Sequence, residues 1–162
     1  MKKFLTVTVA MLVMSFAALH AQIPSFQLKD INGKTVDTAK LSNDGKPIII
    51  SFFATWCHPC LRELSNINEV YEDWQDETGV KLIAVSIDQA QNVNKVKPLV
   101  DSKGFEYDVL LDVNSDLARA LGVQNIPHVF LFDGKGKLVY NHIGYKDGDE
   151  NTLYDHVKDL VK

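Results

Sequence analysis

The pattern of apolar and polar positions along the chain predicts strands that alternate with helices. Residues 48–53 and 80–87 are apolar runs typical of strands buried on both faces. Between them, apolar side chains recur at helical spacing over residues 59–78, and Gly79 follows where a helix should end. The other predicted elements are a hairpin over 25–37 around Asn32-Gly33, a helix within 92–103, a strand at 107–111, a short helix at 115–121, a hairpin over 129–143 and a last helix with Leu153, Val157, Leu160 and Val161 facing inward. This order favours a three-layer α/β fold with a mixed sheet covered on both faces.

The first 21 residues follow a different pattern. A basic start and an apolar run over residues 4–19 precede a small residue, Ala21. This arrangement is typical of a secretory signal peptide, so we expect a leader over residues 1–21 that is cleaved after Ala21, and one domain over residues 22–162. The alternative is an uncleaved anchor, although the run is shorter than the roughly 20 apolar residues that span a bilayer. No cysteine lies near the cut, so we do not expect a lipoprotein.

The net charge argues against two classes of partner. Removing Lys2 and Lys3 with the leader from the 17 basic residues leaves 15 against 21 acidic residues, a net charge of −6. A mildly acidic domain without a cluster of Lys and Arg does not favour binding to nucleic acid or to an anionic membrane surface. We expect neither as a partner.

The chain has only two cysteines, Cys57 and Cys60. A bridge between them closes a very short loop, so it would stabilise the fold little. A structural zinc site needs four ligands, and a second cysteine pair is absent from the sequence. We therefore expect the pair to be reactive, with no metal and no cofactor apart from the redox-active Cys57–Cys60 disulfide.

The cysteine pair lies where a buried strand is predicted to turn into a helix. Free backbone N–H groups and the positive end of the helix dipole at that point favour a thiolate at Cys57. His58 can add positive charge, and Pro59 suits the first turn of a helix. Cys60 lies about one turn further on, within bridging distance. We expect Cys57 to attack a disulfide of a protein substrate and Cys60 to resolve the mixed disulfide.

Three segments of the sequence carry a family resemblance. They are Phe53-Ala54-Thr55-Trp56-Cys57-His58-Pro59-Cys60, Asn125-Ile126-Pro127 and Phe132-Asp133-Gly134-Lys135-Gly136. Together they resemble the thioredoxin superfamily, and most of all its bacterial TlpA/ResA-like branch of extracytoplasmic thiol–disulfide oxidoreductases. The resemblance covers nearly the whole chain after residue 22. It implies a thioredoxin-like fold with an N-terminal β-hairpin and a helix–strand insertion after Ile87.

The resemblance also implies a substrate-binding surface around the cysteine pair. Pro127 is expected to be a cis-proline facing the pair, with the Ile126 backbone pairing to a bound substrate strand. Trp56 would cover the redox site as a flat apolar platform, although packing against the sheet explains it almost as well. The residues expected to bind substrate are Trp56, His58, Pro59, Ile126, Pro127 and His128.

Glu63 lies one turn after Cys60 on the same face of the predicted helix. The resemblance to ResA-like proteins implies that an acidic residue here tunes the cysteine pKa values and assists proton transfer, which makes Glu63 a candidate catalytic residue. The alternative is a solvated side chain beside Arg62. Ser51 departs from the family pattern, which has a buried Asp or Asn at this position. A serine cannot act as a carboxylate base, so this role would pass to Glu63, to water or to nothing.

Three histidines of the predicted domain lie outside the motif. His128 follows Pro127 and could stabilise a thiolate or share a copper ion, although a side chain that points elsewhere is the favoured interpretation. His142 and His156 are expected on the surface of a strand and of a helix, with no assigned role.

The expected function is that of a disulfide reductase for exported proteins, since Pro59 resembles the reducing thioredoxins. One example is an enzyme that keeps the cysteines of apocytochrome c reduced for haem attachment. We expect a monomer in the periplasm or another extracytoplasmic compartment, with electrons from a membrane thiol relay.

Three alternatives come from other functional classes. A copper-binding chaperone would use Cys57, Cys60 and His128. A peroxiredoxin-type peroxidase would need Pro seven residues and Thr or Ser three residues before its reactive cysteine, where this chain has Ile50 and Ala54. A non-catalytic interaction module is the third.

Overall fold

A mixed sheet of seven strands forms the centre of the computed structural model, which describes residues 22–162. The predicted signal peptide over residues 1–21 lies outside the described residues. The strands are β1 (Gln27–Asp30), β2 (Thr35–Asp37), β3 (Ile48–Phe53), β4 (Lys81–Ser86), β5 (Asp108–Leu111), β6 (His128–Phe132) and β7 (Leu138–Ile143). The helices are α1 (His58–Asn68), α2 (Tyr71–Thr78), α3 (Val96–Lys103), α4 (Asp116–Ala120) and α5 (Asp149–Asp159), with 3-10 turns at Thr38–Lys40 and Val93–Lys95.

The strand order is β2-β1-β5-β4-β3-β6-β7. The pairs β3–β4 and β4–β5 are parallel, and the other four pairs are antiparallel. The strand β3 lies in the middle of the sheet, and all six of its residues are buried. The predicted N-terminal hairpin is β1–β2, and the predicted insertion supplies α3 and β5, which lies between β1 and β4.

Two hydrophobic clusters cover the two faces of the sheet. One packs Ile49 and Phe53 of β3 against side chains of α1, α2, α3 and α5. The other packs Ile50 and Phe52 against α4 and the segment before β1. Helical or loop layers on both faces of a mixed sheet make the three-layer α/β fold that the sequence predicts.

The helix predicted over residues 59–78 is in fact two helices, α1 and α2. The chain turns at Glu69 and Val70, and Val70 has φ −123° and ψ 4°. The Asn68 side chain donates to the Gly104 carbonyl at 3.1 Å and accepts from the Glu106 N–H at 3.3 Å. These contacts hold the end of α1 against a loop distant in sequence, so apolar spacing alone could not reveal the break.

Two further expectations concern helix ends. Pro98 predicts that its helix kinks or begins near Lys97, and α3 begins at Val96, so Pro98 lies in its first turn. The prediction that Leu160 and Val161 face inward is wrong, because α5 ends at Asp159 and these two side chains are exposed. Among residues 22–162, no helix is long and apolar enough to cross a membrane.

Candidate active site

Cys57 and Cys60 form a disulfide at the start of α1, with 5.3 Å between their Cα atoms. Cys57 is the N-cap residue of the helix, and the Cys60 N–H donates to Cys57 Sγ at 3.3 Å. Cys57 keeps 6% of its surface exposed, whereas Cys60 is fully buried. A partner can therefore reach the Cys57 sulfur first, at the helix end where a thiolate is stabilised.

The loop that leads into the cysteine pair is held by a buried aspartate, Asp88. Its carboxylate accepts from the Thr55 N–H at 2.8 Å, from the Thr55 hydroxyl at 2.7 Å and from the Ser86 hydroxyl at 2.9 Å. Phe53 and Ser86 are opposite each other in the parallel β3–β4 pair, so the loops that follow both strands meet at one edge of the sheet. Asp88 is not among the residues that the sequence predicts for the site. Its position as an acidic residue just after a buried strand is the signal that points to it.

Glu63 is buried on the inner face of α1, with 3% of its surface exposed. The Ser51 hydroxyl donates to Glu63 Oε2 at 2.9 Å, and this is the only hydrogen bond between described side chains that the carboxyl group makes. Burial raises the pKa of Glu63 to about 8. The Ser51 hydrogen bond opposes this shift, and the charges of Asp149 and Glu150 add to it. The alternative of a solvated Glu63 is therefore wrong: at neutral pH this site holds a neutral carboxylic acid one helical turn from Cys60.

Of the residues expected to bind substrate, Trp56, His58 and Pro59 are neighbours of Cys57 in the chain, and Ile126 and Pro127 immediately precede β6. The Ile126–Pro127 peptide bond is cis, as predicted. Because His128 pairs with Phe52 in the antiparallel β6–β3 register, Pro127 lies at the end of the sheet where the cysteine loop begins. Trp56 is 60% exposed, so the alternative that it packs against the sheet is wrong.

A shallow depression lies beside the cysteine pair on the outer side of α1. Its volume is about 300 Å³, and it is lined by His58, Pro59, Arg62 and Tyr145. The Tyr145 hydroxyl donates to Glu150 and accepts from Asn66, which ties the chain after β7 to α1. Together with Trp56, the depression gives an apolar and partly charged surface on which a peptide could lie.

His128 does not join the cysteines. It is buried in the sheet, its ring stacks on Phe130 with centroids 4.1 Å apart, and its Nε2 lies 3.4 Å from Asn141 Oδ1. Phe130 belongs to the cluster on the face of the sheet opposite Cys60. Within residues 22–162, no three His, Cys, Asp or Glu side chains lie close enough to hold a metal ion. The structure therefore does not form the Cys57–Cys60–His128 copper site of the alternative hypothesis.

A thioredoxin-like fold with a disulfide at the start of its first helix defines the class of thiol–disulfide oxidoreductases, and the comparisons with known proteins agree. Residues 19–141 match the model of the AhpC/TSA family. The thiol-disulfide oxidoreductase ResA of Bacillus anthracis is 33% identical over 133 residues, which cover 82% of this chain and 74% of that protein. The ResA of Bacillus subtilis (strain 168) is 31% identical over 139 residues, which cover 86% and 73%.

A solved structure is more similar in sequence. The solution structure of an uncharacterized thioredoxin-like protein from Porphyromonas gingivalis shares 63% identity and superposes with a TM-score of 0.78, covering 88% of this chain and 93% of that one. The chain belongs to the AhpC/TSA family and, within it, to the ResA-like thiol–disulfide oxidoreductases.

Proposed function

We propose that the protein reduces disulfides of exported proteins through the Cys57–Cys60 couple. The observation that carries this proposal is the asymmetry of the pair: Cys57 keeps 6% of its surface exposed and receives the Cys60 N–H at its sulfur, whereas Cys60 is fully buried one turn from an acid. An N–H that points at a sulfur stabilises a thiolate, which is the form that attacks disulfides.

The reaction follows from these positions. The Cys57 thiolate attacks one sulfur of the substrate disulfide, and the other substrate sulfur leaves as a thiolate. Glu63 must first release its own proton to solvent; as a carboxylate it then accepts the proton of Cys60, and the Cys60 thiolate attacks Cys57 Sγ. This step forms the Cys57–Cys60 bond and releases the second substrate thiolate. Two electrons pass from the dithiol to the substrate.

Several features support the reducing direction and the site of action. Pro59 occupies the second intervening position of the motif, as in reducing thioredoxins. The basic start, apolar run and small residue over positions 1–21 favour export, and an extracytoplasmic reductase needs electrons from a membrane thiol relay. Apocytochrome c, with paired cysteines before haem attachment, is a substrate that fits this proposal, and we expect the enzyme to work as a monomer without a bound cofactor.

The test combines an activity assay with a trap. We expect the reduced protein to reduce insulin disulfides, and Cys57→Ser to abolish the activity. Cys60→Ala should accumulate a mixed disulfide through Cys57 in cells, and mass spectrometry of the trapped partner identifies the substrate class. Equal insulin reduction by the wild type and Cys57→Ser would contradict the proposal and favour the non-catalytic interaction module.

A further inference from the structure

His142 lies on the same face of the sheet as the buried acid, two strands away from Ser51. In the register of the sheet, Ser51 of β3 is opposite Val129 of β6, and Val129 is opposite His142 of β7. These three side chains form a row across the sheet. Glu63 is bonded to the first of them, and His142 is the last, on the edge strand.

A small cavity lies between Glu63 and His142. It is lined by Glu63, Val129, Tyr140, His142, Asp149, Glu150 and Leu153, and its volume is about 10 Å³. This volume is close to the minimum that admits one water molecule, and the lining offers such a molecule several polar partners. One water would therefore be enough to bridge the carboxyl group of Glu63 and the outer lining of the cavity.

His142 is held at the outer end of the cavity by Asp149. His142 Nε2 lies 3.4 Å from Asp149 Oδ2, and the two side chains are 41% and 35% exposed. Both groups thus reach solvent while they also line the cavity. An imidazole can accept a proton at one ring nitrogen and release one from the other, which suits it to carry protons between two environments.

The other ionisable groups around Glu63 are less suited to this role. The Glu150 carboxylate already accepts from the Tyr145 hydroxyl and from the Gly148 N–H. Burial raises the pKa of the Tyr140 hydroxyl, and burial also raises that of Tyr107, whose hydroxyl donates to the Leu64 carbonyl. Neither phenol takes up or releases protons readily near neutral pH.

We propose that His142, oriented by Asp149, passes protons between solvent and Glu63 across the water-sized cavity. The proposal rests on the proposed role of Glu63. When a donor reduces the disulfide, Glu63 gives its proton to the leaving Cys60 sulfur and becomes a buried carboxylate. It then takes a proton from solvent through His142 and must release that proton by the same path before it can accept the Cys60 proton. His142 ends each exchange in its starting state, so it is a proton-relay residue that acts through Glu63.

The test equilibrates the reduced protein at pH 7, so that Glu63 starts protonated, removes the reductant, and measures a single turnover with insulin disulfides in weakly buffered solution. We expect His142→Ala to lower the rate by roughly 10- to 100-fold, which is at or below the lower end of what a directly acting acid–base group contributes, because His142 acts through Glu63. Free imidazole should restore the activity, because it can occupy the space left by the missing ring. The matched control is His156→Ala, which removes an exposed histidine that stacks on the Tyr140 ring and does not line the cavity. It should turn over like the wild type without imidazole.

The relay and the role of Glu63 can fail separately. In a Glu63→Gln background, His142→Ala should lower turnover no further, because the residue it serves is gone. If Glu63→Gln is slow and His142→Ala matches the wild type at low buffer, the relay is wrong and the role of Glu63 stands. An equal loss in His142→Ala and His156→Ala, or a loss that imidazole does not reverse, also overturns the relay. Full activity of Glu63→Gln would overturn both assignments.

Discussion

Glu63 makes the stability of the protein depend on pH. Its pKa is about 8 in the folded protein against 4.5 for the unperturbed group, because burial disfavours the carboxylate. Between these values the folded chain keeps a proton that the unfolded chain releases, so the free energy of unfolding falls as pH rises through this window. Glu63→Gln removes this contribution to the pH dependence of the free energy of unfolding. We expect it to match the wild type at pH 4.5 and to be more stable at pH 8.5 by up to about 5 kcal/mol, measured by urea unfolding of the oxidised protein.

An exposed acid on the same stretch of chain provides the control. Glu69 follows the end of α1 and is exposed, so Glu69→Gln should leave the pH dependence of unfolding as it is in the wild type. Parallel stability curves for the wild type and Glu63→Gln between pH 4.5 and 8.5 would mean that Glu63 ionises normally in the fold. That result would also remove the neutral acid from the proposed mechanism.

The residues of the site differ in how far the sequence could reveal them. The sequence indicated Cys57, Cys60 and Pro127 because each belongs to a contiguous motif with its own local geometry. Asp88 was not predicted, and His142 was predicted on a strand surface without a role, because their contacts depend on the pairing of distant segments: Asp88 bonds to Thr55, 33 residues away. Glu63 is intermediate, since helical spacing brings it close to Cys60, but its burial depends on β7 and α5 as well.

The elements themselves were largely predictable, and the exceptions have tertiary causes. Continuous apolar runs predicted β3 and β4, because central parallel strands are apolar on both faces. The turn between α1 and α2 was missed because Asn68 bonds to the loop after α3. Leu160 and Val161 continue the apolar spacing of α5 past its end, so spacing overstated the length of the helix.

The backbone of the turn between β6 and β7 packs closely against the backbone of the loop before β3. A Cβ atom on Gly134 would overlap the Gly45 carbonyl group, whereas one on Gly136 would meet open space, although Gly136 has φ +76°. We expect Gly136→Ala to cost about 1 kcal/mol, for the left-handed conformation only. Gly134→Ala should cost about 3 kcal/mol, because one of the two backbones must move. Chemical denaturation measures both, and equal costs would show that the two loops do not pack as closely as described.

At the scale of the whole molecule, the fold places the cysteine pair and Glu63 in different positions relative to the sheet. Cys57, Trp56 and the cis-proline lie at one end of the sheet. Glu63 lies between the sheet and α1, and the cavity beside it is lined by residues of the edge strand. In the proposed mechanism, substrate and protons therefore reach the pair from different sides of the molecule. The disulfide joins two residues inside the fold. The oxidised and the reduced protein therefore differ in their free energy of unfolding.

This difference gives a test of the proposed direction that needs no substrate. If the folded protein is a reductant, its disulfide is harder to reduce in the fold than in the unfolded chain. By the thermodynamic cycle, the oxidised form must then be more stable than the dithiol by the same free energy, about 1.4 kcal/mol for each 30 mV. We expect oxidised protein to unfold at higher urea concentration than protein kept in dithiothreitol. A double variant, Cys57→Ser with Cys60→Ser, should unfold identically with and without the reductant. A dithiol form more stable than the disulfide form would make the protein an oxidant, because a stabilised reduced state is what draws electrons from a substrate.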